Sequence, residues 1–594
     1  MKKLAINRTV IALGVLCVSF VLLAVHSSVP EEGNEDTKGK VWIFLSTDCP
    51  VALKYSPRIA RLYESYSEKG FEFVAYFPNE LETRSGIDTY MYERNLQFSW
   101  KFDLGGLLAK SHGITKIPCV IVFDKNGKKV YQGAIDDNPN DINIRNKYVE
   151  NVLEQLQSGK AVEFLKTDVQ GCFLMPGEPP LDSKSITFAE HVAPIVYRSC
   201  APCHRSGEVA PFSLTSYDEV KKWAKMIAFV SESGRMPPWK AVDDYNNFKD
   251  ANVLSPYEIE TLKRWAEAGA PRGDKNKEPK APEFSSEWPY GEPDLIISAD
   301  RPFELEAEGR DVYRNFVIKT DFKETKYVKG IAVKPGNPKV VHHVIAFLDE
   351  QGRALKLQEQ TKDGQPGYPT FGGLGFIPEG SLGGWAPGYK SRLAEEGYAF
   401  ELKPGTSIVL QTHYNKTGKP EKDLTKVGIY FAKEPIKKTL HLAWIANVGL
   451  RIPPNVSNHK VTFRFPVPLD VTAHSAMPHM HLLGKEMKAW VELPDKTVKP
   501  MIWVRDWDFN WQMNYTFEEP MRIPRGSTIV VEAVYDNSED NPFQPNTPPK
   551  LVRWGEQTSD EMMLLVVAYT FDNPIFGTFQ PQNLRGFLQN RIGR

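Results

Sequence analysis

From residue 295 onward the apolar residues recur at a period of two. Runs such as HHVIAFLD, TSIVLQTHY, KVTFRFPV, KAWVELP and TIVVEAVYD are separated by Pro, Gly and Asp turns, with few helix-length patterns between them. Alternation of this kind sends successive side chains to opposite faces of a sheet, one toward a core and the other toward water. About 300 such residues are predicted to form β sandwiches, with enough chain for two all-β, jelly-roll-like domains over 295–460 and 461–594.

The preceding half has other periods. Residues 40–48 read as a strand, 51–69 as a helix, 71–77 as a strand, and 118–133 as two strands around an Asn-Gly turn. A helix near 145–158 closes a small α/β domain over 35–155. Residues 186–271 are helical and stop at Gly269 and Pro271, and the Pro-, Lys- and Glu-rich stretch 272–294 reads as a linker. A chain of 594 residues has room for about four domains. With 73 Lys+Arg against 74 Asp+Glu and 41% hydrophobic residues, it is neither a polybasic nucleic-acid binder nor mainly disordered. Lys2, Lys3 and Arg8 precede an apolar run at 10–25 that contains Cys17. Residues 1–30 therefore read as a cleaved export signal or an uncleaved anchor, and the rest is expected in the periplasm or another extracytoplasmic space.

Cys200, Ala201, Pro202, Cys203 and His204 form C-x-x-C-H. Two thiols at this spacing can bond to the vinyl groups of a haem while the adjacent imidazole faces the iron. A redox-active pair or half of a zinc site is the alternative, although no later cysteine completes a four-thiolate site. The segment 186–271 resembles a class I cytochrome c domain. The resemblance implies one covalent haem c, His204 as the proximal ligand and Met236 in SGRMPPW as the distal ligand, with Met226 or an unligated face as competitors.

Eight of the twelve histidines fall between 342 and 481. His479 and His481 are two apart in PHMHLLGK, so on a strand they share a face while Met480 points away. Adjacent His342 and His343 normally point oppositely, and joint ligation requires a bulge or ring rotation; otherwise one of them is a core histidine. His413 lies in VLQTHYN. Imidazoles with a thioether favour copper, with zinc as the alternative.

These motifs resemble the type II, ascorbate-dependent copper monooxygenases, the family of peptidylglycine α-hydroxylating monooxygenase and dopamine β-monooxygenase. The resemblance implies two sandwiches facing across a solvent-filled cleft with two copper ions. His342, His343 and His413 match the electron-transfer site, and His479, His481 and Met562 in SDEM match the site that activates O2. Gln411 matches a supporting residue beside the first site. The positions that bind a substrate carboxylate in the peptide-hydroxylating member are Met477, Leu564 and Val566 here, so a less charged substrate is expected. No cysteine follows Cys203, so the sandwich disulfides of the animal enzymes are missing.

Residues 35–150 resemble the thioredoxin-like redoxins, with Cys49 in STDCP at a strand-to-helix junction and Pro118 at the family's cis-proline. Cys49 is the candidate nucleophile, with no C-x-x-C partner at Ala52. Cys119 either resolves it or is buried and inert, and Cys172 in QGCF is a third candidate; the domain is either thiol-active or a docking module. The whole reads as an exported monooxygenase that hydroxylates a C–H bond of a small organic substrate with O2. Electrons reach it through its own haem, with a periplasmic cytochrome or ascorbate as possible external donor. A periplasmic electron-transfer or copper-handling protein is the alternative.

Overall fold

The computed structural model describes residues 37–573, except 207, 209, 243, 244, 250, 284–287, 372 and 387–391. The export-signal or anchor segment 1–30 lies outside the described residues. Among those described, no helix is long and apolar enough to cross a membrane. The chain divides into a front unit ending at Pro179 and a larger unit that follows, with residues 83–86 assigned to the latter.

In the front unit, six strands form one sheet in the order Ser99–Phe102, Phe71–Phe77, Gly39–Phe44, Cys119–Asp124, Lys129–Gly133, Leu165–Lys166. Gly39–Phe44 runs parallel to Phe71–Phe77 and antiparallel to Cys119–Asp124, which turns at Gly127 into Lys129–Gly133. The fold is thioredoxin-like. Helices Pro50–Tyr66 and Tyr148–Gln157 pack Tyr55, Ile59, Val149 and Leu153 onto Val41, Ile43, Phe73 and Val122. The unit runs past the expected boundary at 155, because Leu165–Lys166 adds to the sheet and Cys172–Phe173 pairs with Lys116–Ile117.

The second unit begins with helices Ala193–Ser199, Tyr217–Lys222, Ala224–Glu232 and Pro256–Glu267 around Phe188, Val196, Leu262 and Trp265. A capping box from Ser255 to Glu258 starts the last helix. Residues expected inside this helical module do otherwise. Ala241 bridges Val504, Phe248 bridges Phe517, and both enter the core of the second sandwich.

The first sandwich stacks the sheet Tyr368–Pro369, Val312–Lys319, Ser407–Tyr414, Val341–Asp349, Gly380–Trp385 on the sheet Lys438–Thr439, Tyr398–Leu402, Lys326–Lys334, Lys426–Phe431, Leu295–Ser298. Phe316, Val344, Leu410 and Ile429 fill the space between. The second stacks His441–Ala446, Leu564–Phe571, Val471–His479, Tyr515–Ile523 on His459–Pro466, Thr528–Tyr535, Gly484–Glu492, Val498–Val504. The expected division at 460 moves upstream, because His441–Ala446 pairs along its whole length with Leu564–Phe571.

Candidate metal centre

Val341–Asp349 and Ser407–Tyr414 are neighbouring antiparallel strands, and their register slips by one residue at His342: Val341 faces Tyr414, whereas His343 faces His413. The bulge turns His342 and His343 toward the same side. The ligand nitrogens of His342, His343 and His413 lie within 4.8 Å of one another. His342 Nδ1 is 3.3 Å from His343 Nδ1. His413 donates Nε2–H to Asp311 Oδ2 at 3.1 Å, and its Nδ1 is buried with no hydrogen-bond partner. A buried, unprotonated imidazole nitrogen aimed at two others is the donor set of a metal site. Tyr313 stacks flat on His413 at 4.3 Å and fixes its plane. Burial, then the neighbouring His413 and His479, lowers His342 to about 3, and His343 is also held well below its ordinary value by burial. Both rings are therefore neutral and able to ligate at physiological pH.

The second group lies where Val471–His479 runs out of the sheet. Met480 points into the core, and His479 and His481 meet edge-to-face with ring centroids 5.3 Å apart. His479 Nδ1–H donates to Gln512 Oε1 at 2.8 Å, and His481 Nδ1–H donates to the Asp560 carbonyl at 3.2 Å. Each bond fixes a tautomer with Nε2 unprotonated. Met562 lines the same cavity as these two histidines. The buried Glu561 carboxylate ties the pieces together: it accepts from the N–H of His481, from Leu483 at 2.9 Å and from Met562 at 2.8 Å. Burial pushes its carboxyl up to about 8, against the pull of these donors.

The two groups adjoin. Phe509 stacks on His342 at 4.8 Å and meets His481 edge-on at 5.8 Å. Asp311, the acceptor for His413, also accepts from Thr558 Oγ1 at 2.8 Å, and Tyr313 donates to the Glu556 carbonyl at 2.6 Å. His343, His479, His481 and Met562 border one cavity of about 570 Å³. Met477, Leu564 and Val566 line it with Phe347, Leu442 and Trp444, so its wall is mainly apolar. Gln411, on the strand of His413, also lines it and donates to Asn315 Oδ1 at 3.2 Å.

At Cys200–His204 the first turn after helix Ala193–Ser199 carries the motif, and neither cysteine is in a disulfide. His204 Nδ1–H donates to the Phe212 carbonyl at 3.2 Å, leaving Nε2 as the basic nitrogen. Phe212 packs on His204 at 4.6 Å and stacks on Trp223 at 4.3 Å. Trp223, Met226 and Phe229 form an exposed apolar stripe at a spacing of three along helix Ala224–Glu232, which Trp223 precedes. Met236 follows that helix, half-buried, with its N–H on the Val230 carbonyl. In the front unit Cys49 caps helix Pro50–Tyr66 and is bonded to Cys172, while Cys119 is buried and its thiol is pushed up to about 12 by that burial. Cys119 is thus excluded as the resolving partner.

Asp311, Phe509, Gln512 and Glu561 are absent from the sequence reading. Only Glu561 carried a signal, as the acid next to Met562 where the polar run 556–560 gives way to an apolar strand.

The comparisons agree with the two ends of the chain. Residues 21–174 match a domain of unknown function. The chain is 32% identical over 100 residues to the thiol-disulfide oxidoreductase ResA of Bacillus thuringiensis subsp. konkukian, covering 16% of this chain and 57% of that protein. It is 27% identical over 133 residues to ResA of Halalkalibacterium halodurans, covering 22% and 74%. The chain thus spans little more than half the length of the former relative. Among solved structures, a secreted Mycobacterium tuberculosis disulfide oxidoreductase is 13% identical, with 20% of this chain and 81% of that chain covered and a TM-score of 0.16. Residues 459–576 match the copper type II ascorbate-dependent monooxygenase C-terminal domain. The chain thus joins a thioredoxin-like, ResA-like front region to a copper monooxygenase-like oxidoreductase domain.

Proposed function

We propose that this protein is an exported copper monooxygenase that inserts one atom of O2 into a C–H bond of a neutral, largely apolar organic substrate, with electrons delivered through a haem c. The observation that carries this reading is a three-imidazole cluster, His342, His343 and His413, which reaches through His343 the same apolar cavity that His479, His481 and Met562 border. His342, His343 and His413 would hold one copper, and His479, His481 and Met562 the other. When bound, copper supplies one-electron reducing power and activation of O2.

The chain's own residues do the positioning. Asp311, Gln512 and Asp560 hold the tautomers that leave His413 Nδ1 and the Nε2 atoms of His479 and His481 as donors. Met477, Leu564 and Val566 exclude water and orient an apolar substrate against Met562. The cations that reach the cavity each sit near a carboxylate, Lys249 paired with Glu395, Lys329 with Glu434, and Arg392 in the field of Glu395. A neutral substrate is favoured accordingly. Cys200, Cys203, His204 and Met236 would hold the haem, which would supply a one-electron carrier at high effective concentration. The tautomer of His204 and the apolar stripe beside it support this fit.

The test is incubation of the copper-loaded full chain with isotopically heavy O2, an electron donor and a panel of neutral alkyl and aryl compounds. A product carrying one labelled oxygen is expected. Reoxidation of the haem without any labelled product would leave an electron-transfer or copper-handling protein instead. Asp311→Ala is expected to weaken Cu(I) binding at the three-imidazole group by about 10–100-fold, measured by competition with a chromophoric chelator. Met477→Arg places an unpaired guanidinium in the apolar wall. It is expected to reduce kcat/KM for neutral substrates roughly tenfold or more, and to favour carboxylate-bearing analogues.

A further inference from the structure

The front domain has chemistry that the monooxygenase reading does not use. Cys49 sits at the N-cap of helix Pro50–Tyr66, where its Sγ accepts the Ala52 N–H at 3.5 Å and lies 3.7 Å from the Ile117 carbonyl oxygen. The position three residues on, where a second cysteine would complete C-x-x-C, is the buried Ala52. A second sulfur arrives instead from 123 residues away.

Residues 165–179 are laid back across this domain. Cys172–Phe173 adds an antiparallel strand to Lys116–Ile117, with Cys172 opposite Ile117. Leu174 N–H donates to the Thr115 carbonyl at 3.0 Å, and Glu80 N–H to that of Met175 at 3.0 Å. The approach is so close that a Cβ on Gly171 would overlap the Ile117 carbonyl oxygen. Cys172, set down by this strand, is bonded to Cys49. The arrangement has the form of β-augmentation, a peptide added along an exposed backbone edge, with the peptide supplied by the same chain.

We propose that Cys49–Cys172 is an exchangeable redox pair, with Cys172 replacing the missing second cysteine, and that its reaction partner is a dithiol. Three features distinguish it from a permanent staple. Cys49 is 3% exposed, whereas Cys172 is only partly buried, so Cys172 is the more accessible of the two sulfurs to an incoming thiolate. Cys49 is then the leaving thiolate, stabilised by the Ala52 N–H and the helix N-terminus. The strand that carries Cys172 pairs over only two residues and its Phe173 is 71% exposed, so its release breaks few backbone bonds while lifting Cys172 and Leu174 off the cluster of Phe44, Ile117 and Ile121.

One thiolate of the dithiol forms a bond to Cys172 Sγ, and the Cys49–Cys172 bond breaks, releasing Cys49 as thiolate. The second thiol of the partner then attacks its own mixed-disulfide sulfur and releases Cys172. The partner leaves as a disulfide, and Cys49 and Cys172 gain two electrons and two protons. Neither copper nor haem takes part, so the inference stands or falls apart from the proposed function.

The experiment equilibrates the folded full chain in dithiothreitol buffers of graded reduced-to-oxidised ratio, traps thiols with a maleimide and maps labelled peptides by mass spectrometry. Cys49 and Cys172 are expected to become labelled together at one ratio, with Cys119 labelled only after denaturation. In Cys172→Ser, Cys49 is expected to form a stable mixed disulfide with an added aromatic disulfide. Gly171→Ala, which displaces the strand, is expected to speed native-state reduction about tenfold. A pair that excess dithiothreitol reduces only on unfolding, or a Cys49 inert in Cys172→Ser, would overturn the proposal.

Discussion

Replacing Glu561 by Ala is expected to remove roughly 3–5 kcal/mol of stability and to separate Met562 from the histidine pair. Its carboxylate is the acceptor for three backbone N–H groups, those of His481, Leu483 and Met562. Each N–H left buried without an acceptor costs about 1–3 kcal/mol, while removal of a desolvated carboxylate offsets part of the sum. The loss falls on the segment that sets His481 against Met562. Thermal unfolding followed by tryptophan fluorescence reads it, because Trp507 donates to the His481 carbonyl at 3.0 Å. X-ray absorption of the Cu(I)-loaded variant is expected to lose its sulfur scatterer. Glu561→Gln, which keeps one acceptor oxygen but turns an NH2 toward the donors, should fall between. An unchanged melting temperature in the alanine variant would show that these bonds do not hold the site.

His479→Ala is expected to lower formation of labelled product by more than about 100-fold, beyond the range for losing an outer partner of a ligand. It leaves one imidazole and one thioether on that side of the cavity. The three-imidazole group keeps all its donors, because Asp311 and Tyr313 hold His413 without help from His479. Copper content should therefore fall from two per chain toward one. Loss of both coppers would mean that the groups form a single interdependent centre through Phe509.

Much of the site was legible because its chemistry is written in short local motifs. The H-x-H spacing placed His479 and His481 on one face with Met480 pointing away, and strand geometry asked for either a bulge or a ring rotation at His342–His343, of which the structure has the bulge. The acceptors that orient these rings were not legible. Asp311 and Gln512 come from remote segments, and an isolated Asp or Gln carries no pattern. The order of strands and helices in the front domain was readable from 40 to 77 and from 118 to 133. Helix Arg84–Glu93 and strand Ser99–Phe102 were missed, being short and weakly patterned. Helix Arg353–Gln360 was hidden inside a β-rich stretch. Pairing between distant segments was the hardest part: nothing in QGCF announces that it will lie on Ile117, or that Phe248 serves a sandwich core more than two hundred residues downstream.

The edge pairing of His441–Ala446 with Leu564–Phe571 bears on how this protein can be taken apart. A fragment cut at residue 459, where the family match begins, would strip the flank from a strand that lines the cavity with Leu564 and Val566. Its backbone N–H and C=O groups would then stand open along an apolar margin, a template for self-association. Retaining residues from 441 onward would close that margin, so solubility on dissection is governed by eighteen residues that the family match leaves out.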